Sequence, residues 1–322
     1  MPRCARRRFR ASRCRSRRRR AVLAGHLRLP ARAATKNSLK KHSIDYGRSH
    51  ERGAPILLFT RLICVCAVGG LGLGAELRKD IEYSRPDGVA LKLDASIPDG
   101  PGPHAAVIIV HGGGFVAGDK QTYVPPLFPP LTEAGIAWFS IDYRLAPAHK
   151  FPAPIHDVRA AFAYVIQHAK EFKIDPKRIG LVGESAGATI AAYYAATEKG
   201  KYKPKAVVDL YGVVDWEYNK EFFGKLSEGA SAWLGDTDLR RASAVTHIHK
   251  GMPPFLFIHG TKDPQVPFAH SPRMCAAMRL IHAACEVFVV EGGGHGMGGW
   301  EKDPAMQAYK KKLVEWLKER MH

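Results

Sequence analysis

Short, uninterrupted runs of apolar residues, separated by stretches with helical periodicity, most constrain what this chain can fold into. The runs are continuous rather than alternating, which is typical of strands buried on both faces of a parallel sheet. They lie at 105–110, 136–141, 179–182, 206–210, 255–258 and 287–290. Because such strands alternate with helices, the sequence predicts an α/β fold with a mostly parallel central sheet flanked by helices.

Three further segments complete this outline. After the turn signal Pro86-Asp87-Gly88, apolar residues recur with period two from Val89 to Ile97, which predicts an antiparallel hairpin at one edge. Helical spacing of apolar residues predicts a helix over 154–171 and an amphipathic closing helix from Asp303. Residues 212–252 break the rhythm with aromatic and loop residues, and we expect a small cap-like insertion there that covers one end of the sheet.

The formal net charge of +19 suggests a nucleic-acid or membrane-surface partner, but almost all of it lies in a tail. Residues 1–61 contain 19 Lys and Arg against 2 Asp and Glu, whereas residues 62–322 contain 30 against 28. We therefore interpret residues 1–52 as a disordered basic tail. The alternatives are a non-native start, a nucleic-acid arm and an organelle transit peptide. For the remainder, the near-neutral charge predicts no nucleic-acid partner.

Residues 53–75 have the features of a signal peptide or a membrane anchor. Arg61 precedes the apolar stretch 62–73, and Gly74 and Ala75 precede a polar segment. The stretch is shorter than the roughly 20 apolar residues of a membrane span, so we expect export with cleavage near Ala75. The predicted localisation is secreted or periplasmic, with no stable membrane partner after cleavage, or cytoplasmic if the segment is not used. The catalytic domain would then comprise residues 76–322.

Cys275 and Cys285 are the two cysteines, of six, that lie outside the N-terminal segments. An exported protein would be able to pair them, and two free, partly buried thiols are an equal alternative. The chain shows no metal-ligand spacing, and we expect no metal site.

The motif Gly183-Glu184-Ser185-Ala186-Gly187 follows a predicted buried strand and opens an alanine-rich helix. Gly-x-Ser-x-Gly between a strand and a helix is typical of a nucleophile elbow, in which a sharp turn lifts the serine hydroxyl above the sheet. The helix N-terminus favours the negative charge that develops there. Ser185 is therefore the predicted nucleophile, and a serine N-cap flanked by packing glycines is the alternative.

Residues His111-Gly112-Gly113-Gly114-Phe115 directly follow the strand predicted at 105–110. Consecutive glycines let backbone N–H groups converge on an oxyanion without interference from Cβ atoms. We predict that the amides of Gly113, Gly114 and Ala186 form an oxyanion hole. His111 is better explained as a hydrogen-bonding support of this loop than as a catalytic base.

A serine nucleophile needs a base, and the base needs an orienting carboxylate. On an α/β sheet with this elbow, the chain order is Ser, then Asp or Glu, then His. Asp263 lies in a Gly/Pro loop past the strand at 255–258, and His295 lies in a glycine loop past the last strand. We predict Asp263 as the acid and His295 as the base. Asp209 and Asp215 are rival acids, and Asp303 is interpreted as a helix cap.

The stretch from about residue 78 to 320 resembles α/β-hydrolase esterases of the hormone-sensitive-lipase-like and BD-FAE-like (feruloyl esterase-like) group. The matching motifs are His111-Gly-Gly-Gly-Phe115, Asp142-Tyr-Arg-Leu-Ala-Pro147, Gly183-Glu-Ser-Ala-Gly187, His259-Gly-Thr-Lys-Asp263 and Gly294-His295. The resemblance implies an α/β-hydrolase fold and a carboxylic ester hydrolase without a cofactor. It assigns Ser185, Asp263 and His295 the same three roles.

The resemblance also implies that Asp142, Tyr143 and Arg144 brace the loops near the site. Glu184 and the His-Gly-x-x-Asp-x-x-Val-Pro form of the acid loop indicate the BD-FAE side of the group, whose members look like acetyl-xylan or feruloyl esterases. The expected substrates are short-chain acyl or plant cell-wall (acetyl or feruloyl) esters, either small molecules or linked to a polysaccharide. A peptidase or amidase on the same fold and a non-catalytic ligand-binding relative are the alternatives.

Aromatic residues near these motifs are candidates for the walls of a substrate pocket, with simple core packing as the alternative for each. The candidates are Phe115, Tyr143, Trp216, Trp233 and Trp300.

Overall fold

A mixed sheet of eight strands forms the centre of the computed structural model, which describes residues 74–322. The strands are β1 (Ala75–Ser84), β2 (Leu91–Pro98), β3 (His104–Val110), β4 (Ala137–Ile141), β5 (Ile174–Glu184), β6 (Val207–Leu210), β7 (Phe255–Gly260) and β8 (Cys285–Val290). Their order across the sheet is β1-β2-β4-β3-β5-β6-β7-β8. The β1–β2 and β2–β4 pairs are antiparallel and the others are parallel, so the predicted edge hairpin and mostly parallel sheet are confirmed.

Helices cover both faces of this sheet. They are α1 (Phe128–Glu133), α2 (Ala153–Gln167), α3 (Ala186–Thr197), α4 (Trp216–Phe223), α5 (Glu228–Leu234), α6 (Leu239–Ala242), α7 (His270–Leu280), α8 (Met297–Trp300) and α9 (Ala308–Arg320). The sequence pattern does not indicate α1, because prolines precede and interrupt this short helix and hide its periodicity.

Alternate residues of β3 face opposite halves of the core. Ile108 packs in a cluster that includes Val158 of α2, while Ile109 packs in a second cluster that includes Leu131 of α1 and Leu313 of α9. All of these side chains are fully buried. Burial on both faces explains why the strand sequences are continuous apolar runs rather than alternating ones.

The carboxyl ends of four parallel strands carry the predicted functional residues. The glycine loop follows β3, Ser185 follows β5, Asp263 follows β7, and His295 follows β8. In parallel α/β sheets, ligands bind at this edge, where the ends of the strands meet. The interval between β6 and β7, in which we expected an insertion at 212–252, contains α4, α5 and α6.

A disulfide joins Cys275 on α7 to Cys285 at the start of β8, with their Cα atoms 5.5 Å apart. It closes a loop with a sequence separation of 10 residues, for which the loss of chain entropy in the unfolded state is worth about 2–3 kcal/mol. We expect Cys275→Ser/Cys285→Ser to lower the free energy of unfolding by that amount in urea titrations. A reducing agent should destabilise the wild-type protein to the same extent and leave the double variant unchanged. Equal sensitivity of both proteins to the reductant would contradict this expectation.

The expected basic tail (1–52) lies outside the described residues, as does the expected signal or anchor segment (53–75) except for Gly74 and Ala75. Strand β1 begins at Ala75. From residue 74 onward, the chain has no helix that combines the length and the apolar character needed to cross a bilayer.

Candidate active site

Ser185 occupies a tight turn between β5 and α3. Its backbone lies in an unfavourable region, with φ 53° and ψ −115°, and its amide donates a 2.9 Å hydrogen bond to the carbonyl of Leu210. The turn brings neighbouring backbone close to both flanking glycines. A Cβ on Gly183 would lie 2.4 Å from the carbonyl oxygen of Gly187, and one on Gly187 would lie 2.1 Å from that of Val110. The Gly-x-Ser-x-Gly spacing is thus a steric requirement of this turn.

Ser185, His295 and Asp263 form a continuous chain of hydrogen bonds. The Oγ of Ser185 lies 2.8 Å from Nε2 of His295, and Nδ1 of the same ring lies 2.7 Å from Oδ2 of Asp263. The imidazole is 10% exposed and the carboxylate is completely buried. This arrangement can remove a proton from a serine hydroxyl and hold the resulting imidazolium beside a carboxylate.

The carboxylate of Asp263 is held in its ionised form. Burial by itself raises the pKa of this group, but hydrogen bonds from His259 and His295, the charge of His295 and the Val266 amide together lower it well below the usual range. The amides of Gln265 and Val266 donate to Oδ1 at 2.8 and 2.9 Å, which leaves Oδ2 for the histidines. Asp263 therefore stays charged throughout the pH range in which a histidine base is active.

The glycine loop after β3 presents unpaired amides at the same cleft. Gly113, Gly114, Ser185 and His295 border one cavity, and the φ angles of the two glycines are 110° and 60°. Within residues 74–322, the amides of Gly113, Gly114 and Ala186 make no hydrogen bond to a protein acceptor. Unpaired N–H groups beside a serine hydroxyl are what an oxyanion hole requires.

Buried side chains support this loop from below. The ring of His111 stacks on Tyr143 with a centroid separation of 4.3 Å, and its Nδ1 lies 2.7 Å from the carbonyl oxygen of Gly112. The Tyr143 hydroxyl donates to the carbonyl of His111 at 3.0 Å. Burial lowers the pKa of His111 to about 4, so the ring is neutral at pH 7. His111 does not contact Ser185, so it acts as a support of the loop. Tyr143 packs beneath the loop and lines neither of the cavities at Ser185, so it is not a pocket wall.

Glu184 lies directly beneath the same loop. Its side chain is 3% exposed, and a Cβ on Gly112 would approach its Oε2 to 1.9 Å. Burial raises the pKa of Glu184, while the Tyr211 hydroxyl, the charge of His295 and the Gly112 amide partly offset this effect. Glu184 therefore fills the space between the elbow and the glycine loop.

The segment after β4 braces the loops through a buried ion pair. The guanidinium of Arg144 lies 2.8 Å from Oδ1 of Asp157 on α2, and it also contacts Asp87 at 2.6 Å. Asp142 accepts a hydrogen bond from the amide of Lys120 at 2.9 Å. Asp142 and Arg144 therefore hold the loops in place and take no part in the hydrogen bonds that join Ser185, His295 and Asp263.

The rival acids do not contact His295. Asp209 accepts a hydrogen bond from the amide of Gly212 at 2.8 Å, and Asp215 caps α4 by accepting from the amide of Tyr218 at 3.0 Å. Asp303 also caps a short helix, as the sequence predicts. The geometry thus favours Asp263 over the two alternatives.

The buried carboxyl of Asp209 makes the stability of the fold depend on pH. Burial raises its pKa from 3.8 to about 6, although the Gly212 amide and the charge of His259 partly offset this rise. Between these values the folded protein retains a proton that the unfolded chain releases, so this group destabilises the fold as pH rises, by up to about 3 kcal/mol. The free energy of unfolding of Asp209→Asn, minus that of the wild type, should therefore increase from pH 4 to 7 in urea titrations. A difference that stays constant would contradict this.

Two cavities meet at Ser185. One, of about 340 Å³, is mostly apolar and lies between α3 and the inserted helices. It is lined by Gly114, Phe115, Ser185, Ala186, Thr189, Val213, Trp216, Asn219, Phe223, Lys225, Leu226, Ser227, Pro264, Gln265, Val266 and His295. The other, of about 400 Å³, is bordered by the two glycine loops, Tyr123 and Glu184. A substrate attacked by Ser185 would have one part in each cavity.

Of the aromatic candidates, Phe115 and Trp216 line the apolar cavity, whereas Trp233 and Trp300 do not. Trp233 is fully buried and stacks behind Phe115 with ring centroids 4.1 Å apart. Trp300 donates from its indole N–H to the carbonyl of Gly294 at 2.9 Å and so supports the loop of His295. Expecting these two as pocket walls was wrong, because their rings pack inward from the insertion and from α8.

Two residues at the site have no signal in the sequence. Tyr211 packs edge-on against His295 with ring centroids 4.9 Å apart, and its hydroxyl accepts a hydrogen bond from the amide of Met297 at 3.1 Å. Asn219 of α4 lines the apolar cavity and contacts the buried His270 at 3.2 Å. Neither belongs to a motif, and only the folded chain brings them to the serine.

Topology, elbow and hydrogen-bonded chain together define an α/β-hydrolase with a Ser-His-Asp arrangement. Within that class, the BD-FAE family model matches residues 93–278, more than half of the chain, and the chain belongs to the BD-FAE family.

Similar proteins of Mycobacterium tuberculosis (strain ATCC 25618 / H37Rv) include esterase LipQ and esterase LipC. LipQ is 34% identical over 230 residues, which are 65% of this chain and 54% of LipQ. LipC is 28% identical over 220 residues, 62% of this chain and 54% of LipC. The chain thus spans about half the length of these two relatives.

Solved structures extend the similarity to the fold. The apo form of Thermogutta terrifontis esterase 2 has a TM-score of 0.65 and 27% identity, and the match covers 76% of this chain and 94% of that one. A truncated carbohydrate esterase from gut microbiota has a TM-score of 0.67 and 24% identity over 77% of this chain and 97% of that one, which supports the fold alone.

Proposed function

We propose that the protein is a serine carboxylesterase that acts through an acyl-enzyme. The observation that carries the proposal is the chain of hydrogen bonds from Ser185 through His295 to the buried Asp263, at 2.8 and 2.7 Å. The similar proteins LipQ, LipC and Thermogutta terrifontis esterase 2 are named as esterases, which supports the same reaction class.

In the proposed reaction, His295 takes the proton of Ser185 as Oγ attacks the ester carbonyl. The amides of Gly113, Gly114 and Ala186 bind the oxyanion of the tetrahedral intermediate. His295 then gives its proton to the alcohol oxygen, which leaves as the carbonyl forms again. Water, deprotonated by His295, attacks the acyl-enzyme, and Ser185 recovers its proton as the carboxylic acid departs.

The two cavities give the proposed substrate an orientation. His295 borders both cavities, so the leaving oxygen can face the imidazole from either one, and the polarity of the cavities decides the orientation. The cleft that is bordered by Gly296, Gly298 and Gly299 is the more polar of the two and takes the alcohol. The apolar cavity takes the acyl group. Its volume of about 340 Å³ lies at the small end of ligand pockets, which favours acetyl to aromatic acyl groups over long chains. Acetyl or feruloyl esters of plant cell-wall polysaccharides fit this size.

A panel of esters and one cavity variant test the assignment. We expect turnover of acetyl, butyryl and feruloyl esters and of acetylated xylan, and no turnover of long-chain acyl esters or aminoacyl amides. Leu226→Trp narrows the apolar cavity, so kcat/KM for the butyryl ester should fall at least 10-fold while the acetyl ester is hydrolysed nearly as before. Phe222→Trp is the matched control, because Phe222 is 59% exposed and does not line that cavity.

Several outcomes of the panel would overturn parts of the proposal. Faster turnover of the amides than of the esters would indicate a peptidase or amidase. If Leu226→Trp lowers kcat/KM for esters with a large alcohol and leaves esters with a longer acyl chain unaffected, the assignment of the two cavities would be reversed.

We also propose that the protein is exported, since the Cys275–Cys285 disulfide is of a kind that persists in oxidising compartments. The proposed partners are small-molecule or polysaccharide-linked esters, with no nucleic acid and no stable membrane partner after cleavage. Sequencing the N-terminus of secreted material tests this, and a chain that begins before residue 60 would contradict it.

A further inference from the structure

Asp263 has a second histidine behind it. His259 lies near the end of β7, its side chain is completely buried, and its Nε2 lies 3.4 Å from Oδ2 of Asp263. The same oxygen accepts the hydrogen bond from Nδ1 of His295. The carboxylate therefore faces two imidazoles, one from the serine side and one from the core.

The contacts of His259 locate one of its protons. Besides the carboxylate of Asp263, Nε2 faces the carbonyl oxygen of Val266 at 3.0 Å. Both neighbours are acceptors, so Nε2 must carry hydrogen. At the other side of the ring, Nδ1 lies 2.8 Å from Oγ of Ser271, a hydroxyl that can donate or accept. The ring thus donates from Nε2 whether it is neutral or charged.

The same geometry ties down the loop that carries the acid. Val266 contacts His259 through its carbonyl and Asp263 through its amide, at 3.0 and 2.9 Å. Residues 260–267 are thereby attached to β7 at a buried point as well as through the backbone. A buried carboxylate without such donors would favour its protonated form, which cannot accept the proton of His295 Nδ1 in the same way.

Other groups pack around His259 and contribute to its surroundings. Asp209 of β6, His270 of α7 and Tyr211 are the titratable neighbours besides Asp263, and a positive charge on His259 lowers the pKa of Asp209 and of His270. Tyr211 and Phe268 present ring edges with centroids 6.4 and 5.6 Å from the imidazole. Within residues 74–322, no lysine or arginine forms a salt bridge with Asp263, and the basic side chains that face it are the two histidines.

We propose that His259 is a positioning residue, whose Nε2–H keeps Asp263 ionised and aimed at His295. This inference rests on the proposed serine esterase function, because the role of His259 is exerted through the acid. A core histidine that only fills space would contribute to stability without affecting the protonation of Asp263.

Three variants at position 259 separate these two roles. Gln places a terminal N–H donor near the position of the histidine Nε2. In His259→Asn, the side-chain amide ends near the position of the histidine Nδ1. This variant therefore retains the contact with Ser271 and loses the contact with Asp263. Leu removes both contacts. Ser271→Ala is the matched control, since it removes the partner of Nδ1 and leaves Nε2 in place.

The pH dependence of kcat and of kcat/KM for p-nitrophenyl acetate is the decisive measurement. For His259→Asn and His259→Leu, we expect kcat at pH 7 to fall about 10- to 100-fold with KM little changed. The low-pH limb should move to lower pH, because a carboxylate that is held less firmly stabilises the protonated form of the base less well. His259→Gln should stay within a few-fold of the wild type and retain its profile, as should Ser271→Ala.

A profile that does not move in His259→Asn, or an equal loss of activity in His259→Gln and His259→Asn, would overturn the inference. Thermal unfolding establishes that each variant is folded, and the polar Asn and Gln pair keeps the comparison valid if Leu is not tolerated. Labelling of Ser185 by a fluorophosphonate probe tests the proposed function separately. Labelled protein with an unchanged profile contradicts only the role of His259, whereas absence of labelling contradicts the esterase mechanism.

Discussion

Ser185→Ala should lower kcat for p-nitrophenyl acetate by about 10⁶-fold, to the level that the remaining oxyanion donors and the binding site sustain. The hydroxyl is the only protein group in the proposed mechanism that forms a covalent bond to the acyl carbon, so no other side chain replaces it. The strained backbone at φ 53° is retained in alanine, and the variant should fold. Steady-state hydrolysis and labelling by a fluorophosphonate probe measure the effect.

Ser227→Ala is a matched control for this experiment. Ser227 also lines the apolar cavity, but its hydroxyl caps α5 by accepting a 3.2 Å hydrogen bond from the amide of Ala230. Its loss should cost about 1 kcal/mol of stability and leave the chemistry intact. Hydrolysis by Ser185→Ala at the wild-type rate would contradict the assignment of the nucleophile. A second variant, His295→Ala, should lose about as much activity as Ser185→Ala, and combining the two should add little.

The elbow and the chain order of the site are predictable from the sequence because they follow from local rules. The tight turn at Ser185 excludes a Cβ on Gly183 and Gly187, and this requirement appears as a spacing of two residues. Asp263 and His295 follow successive strands of one parallel sheet, and the ends of those strands meet at one edge. No contact between distant residues has to be known in advance.

What the sequence does not predict depends on the direction of side chains in the folded chain. Trp233 and Trp300 lie in an irregular insertion and a short helix, where no periodicity indicates which way an indole points. His259 follows the apolar run 255–258 and belongs to the same motif as Asp263, but the motif does not indicate that its ring turns into the core to contact the carboxylate. Pairing of Cys275 with Cys285 requires Cα atoms within about 7 Å, a distance that is set by the packing of α7 against β8.

Asp263→Asn should lower kcat by about 10⁴-fold while KM changes little. An amide in place of the carboxylate can present an N–H to Nδ1 of His295, which favours the tautomer with its proton on Nε2, where the serine needs an acceptor. The substitution also removes the negative charge that stabilises the imidazolium in the transition state. The Oδ1 contacts with the amides of Gln265 and Val266 are retained, so the loop should keep its conformation.

Asp209→Asn provides the matched control, since it makes the same substitution at the end of the neighbouring strand β6, in a carboxyl that does not contact His295. Its kcat should remain within a few-fold of the wild type at pH 8. The reverse result, a loss of several orders of magnitude in Asp209→Asn and a mild effect in Asp263→Asn, would show that Asp209 is the acid. Because both carboxyls are buried and both lie near His259, a general effect of removing a buried charge would appear in both variants alike. Of the two, Asp263 is the one that hydrogen-bonds to Nδ1 of His295, so the difference between the two variants measures the contribution of the orienting carboxylate.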